Sequence, residues 1–95
     1  MTNYSSGRRY EWKTQRVLEA AGYVTLRTAG SHGAVDVIGI SASDIVLVQV
    51  KSGPSRPPVR VFEELREMKR PVNTRVLLHW WKPRAHEPVV FDAYV

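Results

Sequence analysis

Residues 34–40 and 44–52 are two strongly apolar segments joined only by the short turn Ser41-Ala42-Ser43. So short a link argues for a hairpin. Both segments are almost continuously hydrophobic, as strands covered on both faces are. A chain with such a hairpin at its centre needs layers above and below it, and the flanking sequence supplies them. Residues 7–21 read as a helix, with Glu11, Thr14, Leu18 and Ala21 on one stripe, Tyr10 and Val17 beside it, and Gly22 as a stop signal. Residues 23–28 read as a strand and 29–33 as a turn. After the loop at 54–58, Val61, Phe62, Leu65 and Met68 mark a second amphipathic helix that Pro71 ends. Residues 75–81 and 88–95 are the last two strands. The expected fold is α/β, a central mixed sheet of about five strands flanked by helices in the order αβββαββ. Its 95 residues suit one domain, 1–95.

Composition narrows the partners. No apolar run reaches the length of a membrane span. The first nine residues are polar and basic, without the apolar core of a secretory signal. Cysteine is absent, which excludes disulfides and Cys-ligated zinc. A cytoplasmic setting is expected. The net charge of +5 points to a polyanionic partner without choosing between DNA, RNA and an acidic protein. There is no phosphate-binding glycine loop, nucleophile elbow or dinucleotide fingerprint, so no nucleotide cofactor is expected. His32, His79 and His86 share no metal-ligand spacing.

The informative residues are charged or polar groups that interrupt apolar runs. Asp36 stands inside Ala-Val-Asp-Val-Ile, where an ionised carboxylate needs a cation or several donors around it. Gln49 and Lys51 alternate with Val48 and Val50, so they share one strand face. One face of the hairpin can then gather Asp36, Gln49 and Lys51, with Glu11 joining from the helix above. Two carboxylates and an amide oxygen match the oxygen ligands of Mg²⁺, which polarises phosphoryl oxygens and supplies a nucleophilic water. Lys51 would orient that water or stabilise developing charge. Read singly, each residue has an ordinary alternative. Asp36 would cap a turn or pair with Arg27, Lys51 would be a solvated lysine, and Glu11 would favour the helix dipole.

The combined pattern Gly7-x-x-x-Glu11, Gly22-Tyr23-Val24-x-x-Arg27-x-Ala29-Gly30-Ser31-x-x-x-x-Asp36-Val37 and Val48-Gln49-Val50-Lys51-Ser52 resembles the archaeal-type Holliday junction resolvases. These are PD-(D/E)xK nucleases with a restriction-endonuclease-like core. The resemblance covers roughly the first half of the chain. It implies Glu11, Asp36 and Gln49 as side-chain metal ligands, with the Val50 carbonyl as a further one, and Lys51 as the catalytic lysine. It places Arg27 and Ser31 near the scissile strand, Ser31 on a loop that can move. It further implies Mg²⁺, with Mn²⁺ substituting, a four-way DNA junction as substrate, and a homodimer that makes paired cuts. Arg8, Arg9 and His32 join Arg27, Ser31 and Lys51 as candidate DNA contacts.

Two departures stand out. Gln49 occupies a position where the family usually has Glu, which removes a negative charge and should weaken cation binding. Similar nucleases of an Mrr-like branch carry Q-x-K. The residues around Gly7 and Glu11 also differ, since Ser5 and Ser6 precede the glycine and Trp12 follows the glutamate. The chain ends soon after its last expected strand, before the longer C-terminal part common in the family. The alternatives are an Mrr-like or other structure-selective nuclease and a junction-binding module without turnover. Trp80 and Trp81 must point to opposite faces of their strand, one filling the core and the other either an edge residue or an interface anchor, with burial in a dimer the preferred expectation. Arg56, Arg60, Arg66, Lys69 and Arg70 make the second helix and its approach basic, read as a solvated face or as phosphate contacts.

Overall fold

The computed structural model describes residues 3–28 and 33–94. The elements are α1 (Asn3–Ala20), β1 (Val24–Arg27), β2 (Val37–Ile40), β3 (Ile45–Ser52), α2 (Val59–Arg66), β4 (Thr74–Trp81) and β5 (Val89–Asp92). The strands form one sheet in the order β1-β2-β3-β4-β5. The β3–β4 pair is parallel and the other three pairs are antiparallel. A parallel pair requires a crossover, and α2 is that connection. The observed order is the expected αβββαββ, with five strands. No described helix is long and apolar enough to cross a membrane.

Helix α1 begins about one turn earlier than Gly7, because the polar residues before the glycine carry no helix breaker and an internal glycine costs only about 1 kcal/mol. Its end is a Schellman motif. Gly22 takes φ +98°, its N–H donates to the Glu19 carbonyl, and the Tyr23 N–H donates to the Leu18 carbonyl, both at 3.0 Å. Tyr23 and Leu18 then pack in the same cluster, which fixes the angle at which the chain enters β1.

Alternation along the strands divides the core in two. On the α1 side lie Leu18, Val37, Val46, Val48 and Leu77. On the α2 side lie Val61, Phe62, Leu65, Val76, Leu78, Trp80 and Ala93. β4 has both faces covered and is the most buried strand. This corrects the reading of the tryptophan pair. Trp80 and Trp81 do point to opposite faces, yet both are buried within one chain, at 9% and 2% exposure. Trp80 Nε1–H donates to the Gly53 carbonyl at 3.0 Å, and Trp81 Nε1–H donates to Thr14 Oγ1 at 2.9 Å. A sheet with a helix on each side buries consecutive residues of an interior strand, so neither indole is left for a partner.

Gly39 shows how closely the layers meet. A Cβ there would stand 2.8 Å from Val46 Cγ2 and 3.2 Å from Tyr23 Cδ1. At the turn between β2 and β3, Asp44 accepts hydrogen bonds from Ser41 Oγ (2.7 Å) and Tyr23 Oη (2.8 Å) and pairs with Arg75 (3.2 Å). These donors, Ser41 and Tyr23 first, hold its carboxyl below the usual range. Asp44 is a structural acid that locks this turn to β1 and β4.

Candidate active site

At the opposite end of the β2–β3 pair stands Asp36. The sequence suggested a strand over 34–40, whereas β2 begins at Val37. The Asp36 amide donates to the Val48 carbonyl at 2.8 Å, although the ladder already pairs Val48 with Val37. Two residues thus face one, which is a β-bulge. One rung further, the Val50 N–H donates at 2.8 Å to the Asp36 carboxylate, Oδ2, instead of to a main-chain carbonyl. The bulge therefore sets the carboxylate at the seam between the two strands.

The other candidates surround this seam. Arg27 lies opposite Val37 in the β1–β2 register, next to Asp36 in space. Its Nε stands 3.4 Å from Glu11 Oε1 as an ion pair, with both side chains about one-fifth exposed. The angle does not make a hydrogen bond, and Nε has no other partner among the described residues. Burial raises the Glu11 pKa and the Asp36 charge raises it further, while Arg27 and Arg8 pull it down. Burial also raises the Asp36 pKa, against the Val50 N–H and the Lys51 charge. Asp36 is thus within electrostatic reach of both Glu11 and Lys51.

The four residues do not sit on one face with Glu11 above it. Val48 and Val50 face α1, so alternation puts Gln49 and Lys51 on the α2 side with Leu47. Glu11 belongs to the helix on the other side, and Asp36 at the seam mediates between them. Lys51 is exposed near the strand end. Gln49 Oε1 is buried and accepts no hydrogen bond among the described residues. Arg9 is exposed, with its guanidinium over the Tyr10 ring. Ser31 and His32 lie outside the described residues. Neither the bulge nor the carboxylate-to-amide bond has a compositional signature, and sequence reasoning missed both. Among the described residues no three His, Cys, Asp or Glu side chains converge as a metal cage.

A half-buried carboxylate at the seam of β2 and β3 with a second on α1, a lysine two residues beyond Gln49, and a mixed sheet between two helices define a restriction-endonuclease-like nuclease fold. The comparisons specify it. A family model described as archaeal Holliday junction resolvase (Hjc) matches residues 2–80, and the chain belongs to that family. A solved structure, at 1.6 Å resolution, of Hjc from Archaeoglobus fulgidus, described as a Holliday junction resolvase from an archaeal hyperthermophile, shares the fold. It superposes with a TM-score of 0.74 at 22% identity, over 94% of this chain and 74% of that one. No match was found among curated proteins.

Proposed function

We propose that the chain is a divalent-metal-dependent endonuclease, one catalytic domain that works as a homodimer and resolves four-way DNA junctions by paired symmetric cuts. The observation that carries this reading is electrostatic. Asp36 and Glu11 are driven toward protonation, by burial first and in Glu11 also by the neighbouring carboxylate. A third oxygen, Gln49 Oε1, is buried without a partner. Paired strain of this kind marks functional sites, and a hard cation at the seam would relieve the two carboxylates together.

The residues present fit such an ion. Asp36, Glu11, the Gln49 amide oxygen and the Val50 carbonyl would hold Mg²⁺, or Mn²⁺ in its place. With only two carboxylates, the ion would keep waters and take substrate phosphate oxygens as its other ligands. When bound, it supplies Lewis-acid polarisation of the phosphate and a more acidic water. Lys51, whose charge already acts on Asp36, faces the phosphate and stabilises charge that builds up in the transition state. Arg27 counters the shift of Glu11 toward protonation. Arg8, Arg9 and Arg27, with Ser31 and His32, contact the DNA backbone. One chain brings one site and a junction needs two cuts, so a two-fold dimer is required. Selection would come from DNA shape and phosphate contacts more than from base reading. A cytoplasmic setting goes with that substrate.

The test is cleavage of a labelled four-way junction beside a linear duplex of the same sequence, in Mg²⁺, Mn²⁺ and EDTA, with Lys51→Ala as control. Paired symmetric nicks in the junction alone, lost in EDTA and in the variant, are expected. Cutting of both DNAs would replace junction resolution with a more general nuclease of the same fold, such as an Mrr-like one. Tight binding that is equal in EDTA and never leads to cutting would make the chain a binding module. The amide at Gln49, where the family usually has a carboxylate, is the observation that favours this second reading.

A further inference from the structure

Helix α1 turns Glu11, Thr14 and Leu18 inward, and on the outer side it carries Arg9, Trp12, Lys13 and Arg16. Their i, i+3, i+4, i+7 spacing makes one face. Trp12 is 59% exposed at the centre of that face, with the Arg16 guanidinium 5.0 Å from its ring centroid. Two hollows meet at Trp12. One continues between α1 and the segment after β4, walled by Trp81, Ala85 and His86. The other is lined by Arg8, Arg9, Trp12 and Arg27 and so leads to the ion pair of Glu11. No acidic side chain lines either.

The cations are held by aromatic rings instead of by carboxylates. Arg9 and Lys13 lie 5.2 and 5.3 Å from the Tyr10 ring, and Lys13 lies 5.6 Å from Trp81. None of Arg9, Lys13 and Arg16 is in a salt bridge among the described residues. Their charge is thus not tied up in ion pairs, on a chain already at +5. A second copy of this chain would meet like charge there, whereas a nucleic-acid backbone would meet its complement. Charge alone would serve any duplex. An exposed indole offers something a paired duplex cannot use, because bases stacked on each other have no free π-face. Single strands and branch points do, and an aromatic platform inside a basic groove is how such bases are held.

Resting on the reading of the chain as a branched-DNA nuclease, we propose that Trp12 is a stacking platform for a base left unstacked at the branch of branched DNA. Arg9, Lys13 and Arg16 grip the phosphates beside it. The base displaces the Arg16 guanidinium from the ring, and the strand runs from this groove past Arg27 to Asp36. Trp12 would then help to distinguish interrupted DNA from continuous duplex.

The experiment measures binding in EDTA by fluorescence anisotropy, with a four-way junction, a single strand and a linear duplex, for wild type, Trp12→Ala, Trp12→Phe and Arg16→Ala. Trp12 is exposed, so melting midpoints should match the wild type. Loss of one stacked base predicts about a 10-fold weakening for single strand and junction in Trp12→Ala, with less than about a 2-fold change for duplex. Trp12→Phe should keep most of the affinity. The salt slope should be unchanged in Trp12→Ala and reduced by about 1 in Arg16→Ala. Equal weakening on all three DNAs, or none on any, overturns the platform. Wild-type protein that prefers no junction overturns the resolvase reading instead, and the single-strand arm still decides Trp12.

Discussion

Acidification below neutrality should weaken this fold through His79. His79 is 1% exposed in β4, with Nδ1 3.3 Å from Thr14 Oγ1. That oxygen already accepts the Trp81 Nε1–H, so the one hydroxyl hydrogen of Thr14 is available to donate to His79 Nδ1. A neutral imidazole with its proton on Nε2 satisfies this network. Burial lowers the His79 pKa from 6.5 to about 4. Between those values the unfolded chain binds a proton that the folded chain refuses, so stability falls as pH falls. The slope is about 1.4 kcal/mol per pH unit, and the full window removes about 3 kcal/mol, a large share of the roughly 5–15 kcal/mol typical of a domain.

Glu11 and Asp36 act in the opposite sense. Their folded pKa values are raised, mainly by burial, so they return stability as pH falls through those raised values. Asp44, held low by Ser41, Tyr23 and Arg75, loses stability below the ordinary carboxylate range. Loss of stability on acidification above the ordinary carboxylate range therefore belongs to His79. Urea unfolding followed by tryptophan fluorescence, from about pH 7.5 to about pH 4.5, should show stability falling with pH in the wild type and no such fall in His79→Phe. The same slope in the variant, or an NMR titration midpoint for His79 near its ordinary value, would refute the reasoning. The effect should reach the site, because His79 pairs with Val50, whose amide holds Asp36.

Gln49→Glu should keep cleavage and lower the Mg²⁺ concentration it requires, since a buried, unpaired oxygen becomes an anion facing the ion; an unchanged or raised requirement in a metal titration would mean that Gln49 is not a ligand. Asp36→Asn should abolish junction cleavage while junction affinity in EDTA stays within about 3-fold, because the basic surface that meets the phosphates is untouched; residual cleavage above a few per cent would remove Asp36 from the metal site. Gly39→Ala should cost about 1–3 kcal/mol from overpacking, since its Cβ would fall 2.8 Å from Val46 Cγ2, and a thermal melt at the wild-type midpoint would show that β2 shifts at no cost.

The element order was legible because apolar blocks and their punctuation are written plainly. The short 41–43 link, Gly22 and Pro71 each mark a boundary that the backbone needs for its own reasons. What stayed hidden were features that depend on the third dimension. One of Trp80 and Trp81 was expected to face outward because strand alternation suggests one inner and one outer residue, and only the position of β4 between β3 and β5, with helices above and below, buries both neighbours. The outer face of α1 was present at helical spacing in Arg9, Trp12, Lys13 and Arg16, but the inward stripe alone was used to recognise the helix.

The same reasoning explains why the site was only half visible. The residue types were legible, since an Asp within an apolar strand and a Lys at the end of the next violate their surroundings. Their arrangement was not, because a regular ladder offers Asp36 a place on one face of the sheet only, with Glu11 reaching it across a hairpin. The bulge at Asp36 breaks that rule. It turns the carboxylate into the acceptor for Val50 N–H and places it where groups from both sides of the sheet act on it, Glu11 from one and Lys51 from the other. A two-sided site in a chain this small therefore depends on one local departure from strand geometry. Any substitution that restores regular pairing at residues 35–37 should separate Glu11 from Lys51 electrically, even with every side chain of the motif still in place.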